Sequence, residues 1–266
     1  MSFETSPRGS ALSTFSFQHV LHAMSLTPDD IAANLAAVRA RVAAAVARRG
    51  PGPVPTLIGV SKKQPPEAVI AACHAGLGDF GENYAQELVA KVEVVDVAVT
   101  PPRWHFIGPL QTNKVRKVVG VGALVHTVDR PTLVDELARE VARLRAGRGA
   151  TTPLELLVEV NVGDEAQKAG VTASELPALL DRVAARPELR CVGLMAIPPE
   201  GDPEQTRPHF ARLRELARRE AAIARPGVDL VHLSMGMSAD FEVAIEEGAT
   251  MVRVGTAIFG ARPPRA

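Results

Sequence analysis

The chain has 266 residues, 46% of them hydrophobic, with 30 basic residues against 30 acidic ones. That length fits one large domain or two small ones, and a single core of this size buries roughly three quarters of the surface its unfolded chain exposes. Balanced charge excludes a global field for nucleic acid or an anionic membrane, and no apolar run reaches the length of a membrane span.

Residues 1–24 carry Glu4 and Arg8 and no continuous apolar segment, so they read as a loose tail rather than a secretory signal, and Met24 is as good a start as Met1. Thr27-Pro-Asp-Asp30 then opens a helix, with Thr27 as cap, Pro28 at the first position and two carboxylates at the positive end of the dipole. Ile31, Leu35, Val38, Val42 and Val46 recur at spacings of three and four on one face of it, to about Arg49.

After the proline-rich linker at residues 51–55 the pattern changes to short apolar runs alternating with helical stretches. The runs are Thr56 to Lys62, Asp79 to Asn83, Trp104 to Gly108, Leu124 to Val128, Leu154 to Asn161, Arg190 to Ile197, Val228 to Ser234 and Met251 to Phe259. Helical stretches begin near Pro66, Tyr84, Thr112, Pro131, Ala173, Pro203 and Ala239. Continuous rather than alternating runs are those of a parallel sheet covered on both sides, and eight strand-helix repeats predict a single (β/α)8 TIM barrel over residues 25–266 with an extra N-terminal helix. The alternative, a doubly wound open sheet, has a nominal dinucleotide fingerprint in Gly76-Leu-Gly78-Asp-Phe-Gly81. Here that motif ends a helix and opens a strand, the reverse of what it requires, so Gly76 reads as a helix terminator. Cys73 and Cys191 read as reduced, buried thiols of a cytosolic protein.

In such a barrel the chemistry sits at the carboxyl ends of the strands. Strand parity sets Ile58, Val60 and Lys62 on one face, so Lys62 extends an apolar row, although a Lys62-Lys63 pair taken alone reads as two solvated ammonium groups. Ser234-Met-Gly236-Met-Ser238, before a helix opened by Asp240, and Gly255-Thr256 both offer hydroxyls, backbone N–H groups and room for close approach, a place for a dianionic phosphate. Each loop alone reads equally as a cap or a packing residue. Arg253 shares parity with Met251 and Gly255 and faces either a ligand or a buried ion-pair partner. Asn83 is a polar pocket residue or a helix cap, His105 and His232 read as satisfied core histidines, and Glu82 as the partner of a neighbouring cation. No metal-ligand spacing accompanies them.

VSK at Val60–Lys62, FGENYAQE at Phe80–Glu87, WHFIGPLQTNK at Trp104–Lys114, GLMAI at Gly193–Ile197 and LSMGMSADFEVAIEEGATMVRVGTAIFG at Leu233–Gly260 resemble the pyridoxal phosphate homeostasis protein family. The resemblance covers nearly everything from Thr27 onward. It implies a barrel related to the N-terminal domain of alanine racemase that holds pyridoxal 5'-phosphate as an internal aldimine, with Lys62 rather than Lys63 as the Schiff-base lysine. It further implies that Ser234 with Gly236, and Gly255 with Thr256, hold the phosphate, and that Arg253 lies near the pyridine nitrogen. Lys63-Gln64 stands where many relatives have Thr-Lys, which leaves the key lysine untouched.

An arginine beside the ring nitrogen does not readily give up a proton, so it leaves that nitrogen unprotonated and the ring a weak electron sink. Racemases on this barrel take a catalytic tyrosine from a second domain, whereas this chain ends soon after its eighth strand and its one tyrosine is Tyr84. The expected role is therefore a monomeric cytoplasmic carrier that buffers the cofactor and delivers it to apoenzymes. A slow single-domain amino-acid racemase and a phosphate-binding barrel enzyme without the cofactor are the alternatives.

Overall fold

The structure, a computed structural model, describes residues 26–148, 152–165 and 167–261; the tail expected over residues 1–24 lies outside them. The first half runs α1 (Pro28–Arg49), β1 (Thr56–Val60), α2 (Pro66–His74), β2 (Asp79–Glu82), α3 (Ala85–Ala98), β3 (Arg103–Phe106), a 3-10 turn at Thr112–Lys114, α4 (Val115–Val121) and β4 (Leu124–Val128). The second half runs α5 (Pro131–Arg148), β5 (Leu154–Glu159), α6 (Leu176–Ala184), β6 (Leu189–Met195), α7 (Pro203–Ala221), β7 (Val228–Ser234), α8 (Phe241–Glu246), β8 (Met251–Val254) and α9 (Thr256–Phe259).

The eight strands form a closed barrel in sequence order, every pair parallel, with Ile58 of β1 opposite Arg253 of β8 at the closing seam. Alternation along the strands divides the apolar side chains into two layers. Ile58, Leu124, Leu157, Val192, Met195 and Met251 make a small cluster of their own inside the barrel. Val252 and Val254, of opposite parity on β8, belong with Phe80 and Phe106 to the larger layer between strands and helices. Parity thus places Arg253 on the inner side, as its neighbours predict.

Local signals set the helix ends. Thr27 and Asp30 form a reciprocal capping box, Thr27 N–H donating to Asp30 Oδ2 at 2.9 Å and Asp30 N–H to Thr27 Oγ1 at 3.2 Å. Gly76, at φ +81°, ends α2: its N–H donates to Cys73 O at 2.8 Å and Leu77 N–H to Ala72 O at 2.9 Å, the paired bonds of a Schellman motif. The glycine-rich run at Gly76–Gly81 is therefore a helix terminator followed by a strand.

Among the described residues only the four-residue α9 follows β8, and α1 covers that side of the barrel instead. Its Ile31, Leu35, Val38, Val42 and Ala45 are buried, and Asn34 Nδ2 donates to Ile258 O at 3.1 Å. Arg41 and Arg48 reach Glu242 and Glu246 of α8, but these are half-exposed surface pairs, screened by solvent, and contribute little to stability.

Two expectations need correction. The apolar run Met251 to Phe259 is not one strand: β8 ends at Val254, Gly255 turns the chain, and Thr256–Phe259 is helical. Cys191 is buried as expected, but Cys73 is half-buried; burial raises its thiol to about 11 and that of Cys191 to about 12. Among the described residues no helix is long and apolar enough to cross a membrane.

Candidate functional site

Lys62 follows β1 in a tight turn, half-buried, with Lys63 at φ +62° after it. The peptides on both sides of Lys62 are tied down. Ser61 O accepts from Lys91 Nζ at 2.6 Å and Lys63 N–H donates to Glu87 Oε1. Lys91 itself is almost fully buried on α3, between Glu82 Oε1 at 2.6 Å and Glu87 Oε1 at 3.0 Å, while Ser61 Oγ donates to the same Glu82 oxygen at 2.6 Å. Burial raises the Glu82 carboxyl, and the Lys91 charge opposes that rise. Glu82 is thus the partner of a neighbouring cation, as expected, and the cation is one that α3 supplies.

At the seam across from β1, Arg253 is buried to 3% exposure. Its Nη1 donates to Ser234 O at 2.7 Å and Ser234 Oγ at 2.6 Å, and its Nη2 to Ala196 O at 3.0 Å. None of these acceptors is charged. Burial pulls the guanidinium down to about 10, against the attraction of the Glu159 and Asp240 carboxylates, so it stays a cation at neutral pH. The buried ion pair weighed for Arg253 is not what holds it.

The loop after β7 folds back on itself. Gly236 sits at φ +88°, and a β-carbon there would lie 2.5 Å from Ala244 Cβ and 2.9 Å from Phe241 Cα. Its carbonyl accepts from Arg253 N–H at 3.0 Å, and Ser238 Oγ accepts from Gly255 N–H at 3.3 Å, so the loops after β7 and β8 are joined. A β-carbon on Gly255 would come within 3.3 Å of Val60 at the end of β1, two residues before Lys62. Thr256 is exposed at the start of α9, whose first N–H groups have no intrahelical acceptor.

Direct contacts therefore link Arg253 to Ser234 and Gly236, and Gly255 to Ser238 of the same loop, and Thr256 continues from Gly255. Lys62 and Asn83 stand at the ends of the adjoining strands β1 and β2. Asn83 caps nothing: Tyr84 is the residue before α3, with no side-chain cap bond, and Asn83 Oδ1 is buried without a hydrogen-bond partner. Ser234 is fully buried, and its hydroxyl lies between Arg253 and His126 Nδ1, 2.9 Å away.

Sequence reasoning passed over Lys91 and Glu159. Glu159 ends β5 at 7% exposure, its carboxyl raised to about 7 by burial and by the charge of Asp129, with Arg253 opposing. Parity was the available signal, since Leu157 and Glu159 share the inner face of β5. For Lys91 there was none, because a lysine in an amphipathic helix reads as solvated.

Residues 32–263 match the family described as alanine racemase, N-terminal domain. The pyridoxal phosphate homeostasis protein of Aquifex aeolicus is 43% identical over 231 residues, covering 86% of this chain and 96% of that protein. The protein of the same name from Pseudomonas aeruginosa is 46% identical over 236 residues, covering 87% and 96%. Among solved structures, PipY of Synechococcus elongatus PCC7942 with PLP bound superposes with a TM-score of 0.73 at 35% identity, over 86% of this chain and all of that one.

Proposed function

The chain belongs to the family of the pyridoxal phosphate homeostasis proteins, built on the alanine racemase N-terminal domain, and we propose that it binds pyridoxal 5'-phosphate at the carboxyl end of its barrel as a buffer and carrier. The residues fit the group. An amine stands at the end of β1, a cation at the end of β8, two glycine loops joined to each other lie beside them, and the buried, unpartnered Asn83 Oδ1 awaits a donor. When bound, the cofactor supplies an aldehyde that condenses with a primary amine and a pyridine ring that withdraws electrons most strongly when its nitrogen is protonated.

In this reading Lys62 provides the amine, and the Lys91–Glu82–Ser61 cluster fixes the backbone from which it projects. The backbone around Gly236 and Gly255, with the hydroxyls of Ser238 and Thr256, receives the phosphate. Ser234, its hydroxyl engaged by His126 and Arg253, would serve to hold Arg253 rather than the phosphate. Arg253 faces the ring nitrogen as a donor that keeps its proton.

The observation that sets this site against transamination and decarboxylation is the set of acceptors around Arg253: two carbonyls and a hydroxyl, none of which changes the charge of the guanidinium. A cation of this kind cannot protonate the ring nitrogen, so the strong electron withdrawal that transamination and decarboxylation need is not provided. We place the protein in the cytoplasm as a monomer that passes the cofactor to apoenzymes.

Transfer tests the reading directly. The loaded protein, mixed with an apo-aminotransferase, is expected to restore its activity while converting L-alanine itself far more slowly than about one turnover per second. Turnover at that rate or faster, with no restoration of the apoenzyme, would favour the racemase.

A further inference from the structure

Arg253 is the end of a longer chain of hydrogen bonds that crosses the barrel interior. Asp79, the first residue of β2, lies at the amino end of the barrel with its side chain 25% exposed. Asp79 Oδ1 is 2.9 Å from His105 Nε2 on β3, and His105 Nδ1 is 2.9 Å from His126 Nε2 on β4. His126 Nδ1 is 2.9 Å from Ser234 Oγ on β7, which takes a hydrogen bond from Arg253 on β8. His105, His126 and Ser234 have no exposed surface, so no water shares these bonds from outside.

The two ends of this chain fix every proton in it. A guanidinium only donates and an ionised carboxylate only accepts. Asp79 therefore takes the proton of His105 Nε2, which leaves His105 Nδ1 bare. His126 must then donate from Nε2 to that nitrogen, and its own bare Nδ1 must receive the Ser234 hydroxyl proton. Ser234 Oγ turns a lone pair to Arg253, and every donor points toward Asp79. The opposite set of tautomers fails at once, with a bare His105 Nε2 facing a carboxylate. Burial lowers the pKa of both imidazoles, and His126 is lowered further by His105, Arg253, Arg103 and His232 around it, so both rings are neutral at pH 7. Asp79 raises His105 in part, and Arg103 opposes it.

We propose that Asp79, His105, His126 and Ser234 are positioning residues for Arg253: the carboxylate at the amino end fixes two imidazole tautomers, these fix the seryl hydroxyl, and the hydroxyl orients the guanidinium toward the bound cofactor ring. The proposal rests on the pyridoxal phosphate reading of the site, but its first readout does not need the cofactor. Long-range proton–nitrogen spectra of the full chain, labelled at histidine, report each ring's tautomer.

In the wild type both His105 and His126 are expected as neutral Nε2–H forms at pH 7. Asp79→Ala, which removes the acceptor, is expected to give mixed tautomers at His126, one ring away from the change. Asp79→Asn keeps a carbonyl oxygen in place and is expected to preserve them. After loading with pyridoxal phosphate, Asp79→Ala is expected to shift the cofactor absorbance and release it roughly fivefold faster, the worth of one neutral hydrogen bond, with Asp79→Asn close to wild type.

An Nδ1–H form of His126 in the wild type would overturn the proposal, as would folded Asp79→Ala protein with unchanged His126 tautomer or unchanged cofactor spectrum. Should Asp79→Ala fail to fold, Ser234→Ala cuts the chain at its other end. It is expected to leave the His105 proton where it was and move the cofactor spectrum, and a silent spectrum there would overturn the proposal too. A wild type that takes up no pyridoxal phosphate would instead overturn the reading of the site.

Discussion

The two walls of the site are held by opposite means. On the β1 side the fixing groups are charged and lie outside the barrel: Lys91, between Glu82 and Glu87, holds Ser61 O before Lys62, and Glu87 accepts the Lys63 N–H after it. On the β8 side they are uncharged and lie inside it: Ser234 and Ala196 grip the side chain of Arg253 itself. The difference matches the role proposed for each residue. A lysine that reacts needs a firm backbone under a side chain that moves, whereas an arginine that only faces a ring needs its head group immobile and its charge unspent.

Breaking the charged wall has the largest expected effect. Lys91→Met leaves Glu82 buried without its cation and is expected to cost about 3–5 kcal/mol in urea unfolding. Adding Glu82→Gln to it should recover part of that loss, which distinguishes a stranded charge from lost packing.

The neutral wall is sharpened by Glu159, the carboxyl that acts on Arg253 through space. Its pKa rises from 4.5 to about 7 on folding, so the stability it contributes is full below pH 4.5 and is lost as pH rises to 7. Glu159→Gln lacks that loss. Its stability relative to wild type is expected to climb between pH 4.5 and 7 and level off above, by on the order of 3 kcal/mol at most, as denaturation at a series of pH values would record. A difference that falls with pH would contradict the assignment.

Gly236→Ala attacks the loop that joins β7 to β8. Its positive φ and the nearby Phe241 backbone leave no room for a methyl group, and a loss of about 2 kcal/mol in melting experiments is expected, together with weaker phosphate binding. The smallest effect is expected at the side chain of Lys63, which is exposed while the backbone N–H of the same residue serves the charged wall. Lys63→Ala should change stability by less than about 0.5 kcal/mol and leave cofactor uptake intact.

These walls were unequally legible in the sequence. Strand alternation is a local rule, so the eight-stranded barrel, the inner side of Arg253 and the place of Lys62 at a strand end could be read from residue spacing. The end of β8 could not, because Ala257, Ile258 and Phe259 continue an apolar run that is equally a strand or a buried helix turn. Lys91 was invisible for another reason: what buries it is Ser61 and Glu82, which come from β1 and β2 and meet α3 only in the fold. The interior chain from Asp79 to Arg253 draws on five strands, and His105 alone gave no sign of partners on β2 and β4.

In the proposed reading Lys62, held by that charged wall, is the residue that takes the cofactor. Loading the protein with pyridoxal phosphate, reducing with borohydride and mapping the labelled peptide tests it most directly. A single label on Lys62 is the predicted result. A label on Lys63 or Lys91, or none after loading, would contradict it.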